Sequence, residues 1–529
     1  MTNKKSLQHI FAELPTPFHI KDVPDIPING ISIDSRAVKP GHLFVALTGG
    51  TADGHDYIQS AIENGAVAVV GEKDISRLPV PYIRLENMRR ALTWIAASFH
   101  DWPAHKLTTI GVTGTDGKTT TTNLIYKILL AANLKAGMIS TVNAVIGNET
   151  LDTGFHVTTP DAHDVQRYLA RMVDAGLTHV VLETTSHGWS QYRVDACEFD
   201  IGVLTNITHE HMNEHGNYEN YRAAKARLFS NLEITTKKPQ GNPRLGVINR
   251  DDDKSFDFLN DFIKVNKLNY GLGDNADVRA LHIAYSPSGI HFTAQSKDFR
   301  VEVTSKLVGA YNVSNCLAAL TAAVFGLGIK PEVAAQGIAS LGGIPGRMER
   351  IDLGQNFTAI VDFAHTPNAL KVTLEAARKM TSGRVISIFG SAGLRDKEKR
   401  RMMAETSAEL ADLTILTAED PRTESLDGIL EEMAAGAGSK GGIEGESFWR
   451  IPDRGEAIRF ALTLARPGDI VLACGKGHEQ SMCFGAREHL WDDRIAMRTA
   501  LSEYLGVDGP EMPYLPTQDT EEGEWLTWK

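Results

Sequence analysis

Residues 111–122 read GVTGTDGKTTTT, a lysine placed directly after a glycine and followed by four threonines. Glycines let backbone N–H groups approach an anion, and the start of a helix favours negative charge. In such a loop Lys118 reaches the β- and γ-phosphates of a nucleotide, and the Thr119 hydroxyl is suited to Mg²⁺. The flanking runs, TTIGVTG before and LIYKILLAANLKAG after, predict a buried strand and then a helix. A strict phosphate loop spells GxxxxGK. Here Val112 occupies the first glycine position, and the spacing is G-x-x-G-K-T from Gly114 to Gly117. A plain capping turn would account for the glycines but not for the lysine in a strand–helix context.

Other candidates lie further along. Glu183 ends the apolar run HVVLE and opens ETTSHG, where a strand-end carboxylate can face a bound nucleotide and its metal. The stretch 206–229 carries His209, Glu210, His211, Glu214 and His215. It lacks the H-E-x-x-H order of a zinc helix, and Mg²⁺ would want oxygen ligands with at most an imidazole. GRMER (346–350) and DFAHTPNAL (362–370) follow. RDKEKRR (395–401) packs five basic residues into seven, which suits a solvated helix face or an anion site equally.

These residues need elements to hold them. The chain has 529 residues, which suggests about three or four domains. Its net charge of −12 argues against a general nucleic-acid binder. Its four cysteines form no CxxC and read as reduced thiols of a cytoplasmic protein. No signal-peptide pattern and no membrane-length apolar run is found. The first hundred residues read as a small α/β layer, with HDWPAHKL (100–107) as linker. Between 265 and 305 short alternating runs predict antiparallel hairpins. NVSNCLAALTAAVFGLG (312–328) predicts a helix leading to a boundary at GGIPG (342–346). Beyond it, TAIVDFAH, RVISIFG, DLTILTA and DIVLACG alternate with helical stretches, which predicts a parallel, doubly wound sheet. Thr366 and Pro367 should cap and open one of those helices. The polar motifs follow the strands' carboxyl ends, where such sheets bind ligands. The Pro-containing acidic tail, 506–529, is expected to be loosely ordered.

Together these motifs resemble the Mur ligase family of ATP-dependent amide-forming enzymes, over about residues 30–505. The resemblance is strongest to members that add the third amino acid of the peptidoglycan stem. The family's TGTNGKTT is matched by Thr113–Thr120, with Asp116 for Asn; VTTPD (157–161), QYRV (191–194), GKGHE (475–479) and LWDDR (490–494) match too. It implies a three-domain α/β architecture. A UDP-MurNAc-binding domain covers 1–104, a central P-loop ATPase-like domain 105–343, and a C-terminal Rossmann-like doubly wound domain 344–505. It assigns Gly114, Thr115, Asp116, Gly117, Lys118, Thr119, Thr120, Asn312, Arg347 and Asp362 to ATP. Ser35, Arg36, Thr158, Thr159, Thr185, Gln191 and Arg193 go to a UDP-MurNAc-dipeptide, and Arg395, Asp420, Arg422, Gly475 and Glu479 to the incoming amino acid. Thr119, Glu183, His211 and Lys225 would hold Mg²⁺, with Lys225 carbamylated and Lys118, Glu183, His211 and Lys225 catalytic. A buried amine is disposed to be neutral, the form that adds CO₂.

The family members that add meso-diaminopimelate carry DNPR; this chain has Glu419-Asp420-Pro421-Arg422. Arg422 suits a distal carboxylate, so diaminopimelate is favoured. Asp420, and Leu394 where the family has Asp, leave L-lysine and L-ornithine as alternatives. A folylpolyglutamate synthetase-like ligase and a non-catalytic P-loop subunit are lesser ones. The expected partners are small molecules only, and a monomer is the default.

Overall fold

The computed structural model describes residues 5–20, 22–49, 52–151, 159–208, 217–286 and 289–519. The chain gathers into two compact units. One takes in 1–279, 295–300 and 314–337; the other takes in 280–294, 301–313 and 338–529.

The first unit opens with a parallel sheet of β1 (Gly30–Ser32), β2 (His42–Val45), β3 (Ala66–Gly71) and β4 (Tyr82–Arg84), in that order. Helix α1 (Met88–Phe99) shares its core: Ala91, Leu92 and Ile95 pack in one cluster with Leu43, Val45 and Val70. The stretch 100–107, between the first sheet and the larger one, is folded. Pro103 starts a short 3₁₀ turn, Trp102 donates its indole N–H to Glu13 (2.8 Å), and His105 Nε2 lies 2.9 Å from Glu198. Pro fixes φ, and here that rigidity opens a turn.

A larger sheet follows: β5 (Thr108–Thr113), β6 (Ala136–Ile139), β7 (Ala144–Ile146), β8 (Glu149–Leu151), β9 (His179–Glu183), β10 (Ile201–Leu204), β11 (Leu245–Asn249) and β12 (Asn266–Gly271). Among these strands the spatial order is β8-β7-β6-β9-β5-β10-β11-β12, parallel from β6 onward. Within the stretch 265–305, β12 pairs parallel with β11, whereas the alternating runs of the hairpin expectation form Val278–Ser286, Gly289–Gln295 and Arg300–Ser305, successive strands that are hydrogen-bonded neighbours. Every residue of β5 is buried, as a central parallel strand covered on both faces requires. Helices α2 (Lys118–Ala131), α3 (Ala162–Asp174), α4 (Ser186–Ser190), α5 (Tyr218–Ile234) and α6 (Tyr311–Leu327) complete the part needed for the site.

The second unit contains the predicted doubly wound sheet. Its strands are β13 (Glu349–Ile351), β14 (Thr358–Asp362), β15 (Val385–Phe389), β16 (Leu413–Leu416), β17 (Phe448–Arg450) and β18 (Ile470–Cys474), in the order β13-β14-β18-β15-β16-β17. All pairs are parallel except β13 with β14. The two edge strands were not expected; three residues are too few for a periodic signal. Helices α7 (Pro367–Met380), α8 (Glu398–Leu410), α9 (Leu426–Ser439) and α10 (Arg454–Leu464) alternate with the strands. Thr366 caps α7, accepting from Ala369 N (3.2 Å). A hairpin, β19 (Ser481–Phe484) with β20 (Arg487–Leu490), follows β18.

The described part of the tail is not loose. Leu515 is fully buried, and Thr517 donates its hydroxyl to Asp453 at 2.6 Å. Acidic and proline-rich composition hid these anchors. Trp525 and Trp528 lie outside the described residues.

Candidate active site

The phosphate loop links β5 to α2, where the sequence placed it. Its glycines are structural requirements: a Cβ on Gly114 (φ +150°) would sit 1.8 Å from Thr205 Oγ1. The loop is held from below by β10 and its extension. Asn206 O accepts from Thr115 N (2.7 Å), Asn206 Oδ1 accepts from Asp116 N (3.0 Å), and Thr205 donates its hydroxyl to Asp116 O (2.6 Å). Helix α5 adds two contacts. Tyr221 OH lies 3.0 Å from Thr115 Oγ1, and Lys225 donates to Gly114 O at 2.6 Å. Lys225 is almost wholly buried, with its Nζ 4.5 Å from the Tyr221 ring centre. Lys118 folds back over the loop onto Thr115 O (2.8 Å).

Register explains Glu183. It pairs with Val112 across β9 and β5, so its carboxylate emerges beside the loop. The Thr119 hydroxyl lies 3.1 and 3.0 Å from its two oxygens, and Thr141 N donates to Oε2 at 2.9 Å. A hydroxyl and a carboxylate are hard oxygen donors, the set that Mg²⁺ takes. Thr120 is buried in the first turn of α2. His211, with His209, Glu210, Glu214 and His215, lies outside the described residues, as does Thr158.

The QYRV segment sits close by. Gln191 Oε1 accepts from Arg193 Nε (3.1 Å) and Nη2 (2.8 Å), and Arg193 Nη1 donates to Thr159 O (2.7 Å). The Thr159 hydroxyl lies 3.1 Å from that of Thr185, which caps α4 by accepting from Gly188 N. So Thr159, Thr185, Gln191 and Arg193 form one polar group. Ser35 and Arg36 stand apart in the first sheet's loop. Arg36 is exposed and pairs with Asp34 at 2.7 Å.

In the second unit, the strand ends build another constellation. Asp362 ends β14; burial pushes its carboxyl up, opposed by Arg347 and by donation from Met348 N and Ala364 N. Asn312 holds Val308 O at 2.7 Å, and Arg347 stacks 4.5 Å above the Phe363 ring. His365 and His478 flank the same ring, and burial drives both down to about 3, so both are neutral at physiological pH.

The loops after β16 and β18 meet at Glu419. A Cβ on Gly475 would lie 2.1 Å from Glu419 Oε2, so only glycine admits the carboxylate. Glu419 is 5 % exposed, its Oε2 has no hydrogen-bond partner, and burial pushes it up to about 7. Beside it, Lys476 is completely buried and grips Asp420 (3.1 Å to each oxygen) and Glu479 (2.6 Å). Asp420 also accepts from Cys483 N at 2.9 Å, fixing β19. Arg422 lies 3.5 Å from Gly393 O and pairs with no carboxylate among the described residues. LWDDR braces this floor: Asp493 binds Arg454, which donates to the Ala418 and Cys474 carbonyls. Arg395 is exposed. The basic run is mostly paired internally: Arg400 is buried against Glu424 and Glu432, and Arg401 bridges Glu398 and Glu405.

Three family models match the chain. Mur ligase family, catalytic domain, matches 27–100; Mur ligase middle domain matches 112–323; and Mur ligase, glutamate ligase domain, matches 346–477. A UDP-N-acetylmuramyl-tripeptide synthetase of Roseiflexus sp. (strain RS-1) is 42% identical over 510 residues, covering 95% of this chain and all of that one. The chain belongs to the Mur ligase family. It is thus an ATP-dependent ligase that forms amide bonds. A UDP-N-acetylmuramoyl-L-alanyl-D-glutamate--2,6-diaminopimelate ligase of Geobacillus thermodenitrificans (strain NG80-2) is 39% identical, over 94% of this chain and 99% of that one. A solved structure of a ligase of that name has a TM-score of 0.65 at 32% identity, covering 95% of this chain and 99% of the other. Mycobacterium tuberculosis folylpolyglutamate synthase, at 14% identity and a TM-score of 0.60, shares the fold.

Several residues of this Mur ligase escaped the sequence reading. Asn206 and Thr205 support the phosphate loop, and Asn315 closes on Gly117, whose Cβ would lie 2.3 Å from its Oδ1. Lys476 and Glu419 were visible inside GKGHE and EDPR, but nothing local said what they touch. No helix among the described residues is long and apolar enough to cross a membrane.

Proposed function

We propose that this Mur ligase adds meso-diaminopimelate, as third stem residue, to UDP-MurNAc-L-Ala-D-Glu in the cytoplasm, in peptidoglycan synthesis. The end-to-end likeness to relatives named for this reaction supports the acceptor substrate. One observation carries the choice of amino acid: among the described residues Arg422 is a guanidinium without a carboxylate partner, near Lys476, which is already paired with Asp420 and Glu479. A distal carboxylate completes Arg422 through a bidentate contact.

The chemistry follows from the two strand-end groups. The substrate's free carboxylate attacks the γ-phosphorus of ATP, and ADP leaves. Lys118, released from Thr115 O, offsets charge on the transferred phosphoryl group. Thr119 and Glu183, with His211 and a carbamylated Lys225, would hold Mg²⁺, which supplies further charge compensation when bound. The carbamate forms as neutral Lys225 adds CO₂ and loses a proton; it retains one N–H for Gly114 O. The amine of the amino acid then attacks the acyl phosphate, and phosphate leaves as the amide forms. Asn312, Arg347 and Asp362 hold the nucleoside end; Ser35, Arg36, Thr159, Thr185, Gln191 and Arg193 hold the UDP-MurNAc-dipeptide.

L-Lysine or L-ornithine is the second reading. Glu419, with an unpartnered buried oxygen, attracts an ammonium, which all three amino acids carry, so it does not exclude them. The deciding assay is ATP-dependent phosphate release with UDP-MurNAc-L-Ala-D-Glu and each amino acid separately. Turnover with diaminopimelate alone is expected. Turnover with lysine or ornithine alone overturns the Arg422 argument.

A further inference from the structure

Tyr192 lies between Gln191 and Arg193, and its backbone occupies the left-handed region (φ +59°), which an aromatic side chain rarely adopts. Three contacts hold that conformation, two of them braced by a shared carboxylate. Arg227, on α5, stacks 4.8 Å from the ring centre, and Arg90, on α1, lies 5.9 Å from it. Cations over an aromatic face are attracted by its quadrupole. Asp195, itself buried, anchors both arginines, at 2.8 Å to Arg227 and 3.8 Å to Arg90. The Tyr192 carbonyl accepts from Thr93 Oγ1, also on α1, at 2.8 Å. Strain of this kind persists only where the surroundings over-determine it, and it gathers at functional sites.

What the strain achieves is visible on either side. With Tyr192 left-handed, the chain turns so that Gln191 Oε1 meets the Arg193 guanidinium at 2.8 Å, while the same guanidinium reaches Thr159 O at 2.7 Å. We propose that Tyr192 is the positioning residue for the Gln191–Arg193 clamp, and that α1 imposes its conformation through Thr93 and Arg90. This rests on the reading of that clamp as the grip on UDP-MurNAc-L-Ala-D-Glu. Helix α1 belongs to the layer expected to take the uridine end, so docking of that layer sets the grip on the peptide end. Arg90 and Arg227 act through Tyr192, and Tyr192 acts through its neighbours.

The test compares Tyr192→Phe, Tyr192→Ala and Tyr192→Gly in steady-state kinetics on the full chain, with melting curves alongside. Glycine relieves the strained φ, so Y192G is expected to be at least as heat-stable as Y192A. Both should raise KM for UDP-MurNAc-L-Ala-D-Glu about ten-fold while leaving KM for ATP and for the amino acid within about two-fold. Y192F keeps the ring and should bring KM back to within about two-fold of the wild type. Thr93→Val, which removes only the bond to the carbonyl, should raise the same KM by about three-fold. If Y192G and Y192A lower stability but leave every KM unchanged, Tyr192 is a packing residue and the proposal fails. If the wild type turns over no UDP-MurNAc-dipeptide, the reading of the clamp fails first and takes the proposal with it; the wild-type control separates the two.

Discussion

The two units handle charge in opposite ways. Around the phosphate loop, the main-chain N–H groups of Thr115 and Asp116 and the Thr205 hydroxyl are tied to the protein itself, and the loop is fastened to β10 and α5 by short hydrogen bonds. Nothing there depends on one side chain choosing among ligands. In the second unit the pocket is built from titratable side chains at strand ends: Glu419, Asp420, Glu479, Lys476 and Arg422. Among the described residues one carboxylate oxygen, Glu419 Oε2, has no hydrogen bond, although Lys399, Arg454 and Lys476 act on it through charge, and the Arg422 guanidinium pairs with no carboxylate. A backbone cradle suits a ligand that never varies. A side-chain pocket is where relatives can differ in the amino acid they accept, because one substitution changes the charge that the substrate must bring.

The sharpest break is at Lys118. Lys118→Met removes the cation from a cradle whose remaining bonds do not need it, so folding should survive. Turnover should fall by about 10²–10³, the loss typical of one charge-stabilising donor. A melting temperature near wild type with abolished phosphate release would support the division of labour. A collapsed fold would show that the lysine holds the loop together.

Lys476→Met attacks the other region. It leaves buried Asp420 and half-buried Glu479 without their shared cation, and removing one member of a buried pair costs about 3–5 kcal/mol. Stability should drop, and KM for the amino acid should rise by about 100-fold, with KM for ATP little changed. Lys476→Met with Asp420→Asn should recover part of the stability, because one stranded charge is gone. Equal loss in the single and double variants would contradict the hub.

The same contrast explains what the sequence could disclose. The phosphate loop was legible because its chemistry is local: Gly114, Gly117, Lys118 and Thr119 fall within six residues, between a buried strand and a helix. The four main strands of the second unit were legible as apolar runs alternating with helices. The pocket was only partly legible, since Lys476 meets Asp420 across 56 positions of sequence. Asn315 meets Thr121 across 194. No spacing rule reaches that far; only the strand order β18-β15-β16 brings the loops together. The anchoring of tail residues 506–519 and the folding of the 100–107 stretch were not legible, for a related reason. Prolines and acidic residues suggest loose chain, while a few anchors, Leu515 and Thr517 or Trp102 and His105, decide otherwise.

Glu419 offers a pH test of the unpartnered oxygen. Burial raises its folded pKa from the ordinary 4.5 to about 7, so the ligand-free protein holds this proton where the unfolded chain has lost it. Its contribution to stability is therefore lost as pH rises from about 4.5 to about 7. A cationic amino acid restores what ionisation removes, so KM for it should fall as pH rises through 7. Glu419→Gln should melt higher than wild type at pH 8, raise KM for the amino acid about ten-fold there, and flatten both profiles. Parallel profiles in variant and wild type would mean that the carboxyl does not meet the substrate.

The smallest effect is the most discriminating. Asp420 replaces the Asn of the diaminopimelate-adding pattern, and taken alone it would favour a bare ammonium. The geometry says otherwise: both its oxygens are occupied by Lys476, and one also by Cys483 N. Its charge is taken up by the protein, so under the proposed function Arg422 is the group that meets the substrate. Asp420→Asn can still accept from Lys476 and Cys483 N, so stability should fall by about 1–2 kcal/mol, the loss expected when a charge-assisted bond becomes neutral. The ratio of kcat/KM for diaminopimelate over lysine should shift by less than about two-fold, because a pocket discriminates through groups that touch the differing atoms. Arg422→Ala, by contrast, should cut that ratio by at least about ten-fold. If Asp420→Asn moves the ratio as far as Arg422→Ala does, Asp420 faces the substrate and the assignment of its charge to Lys476 is wrong.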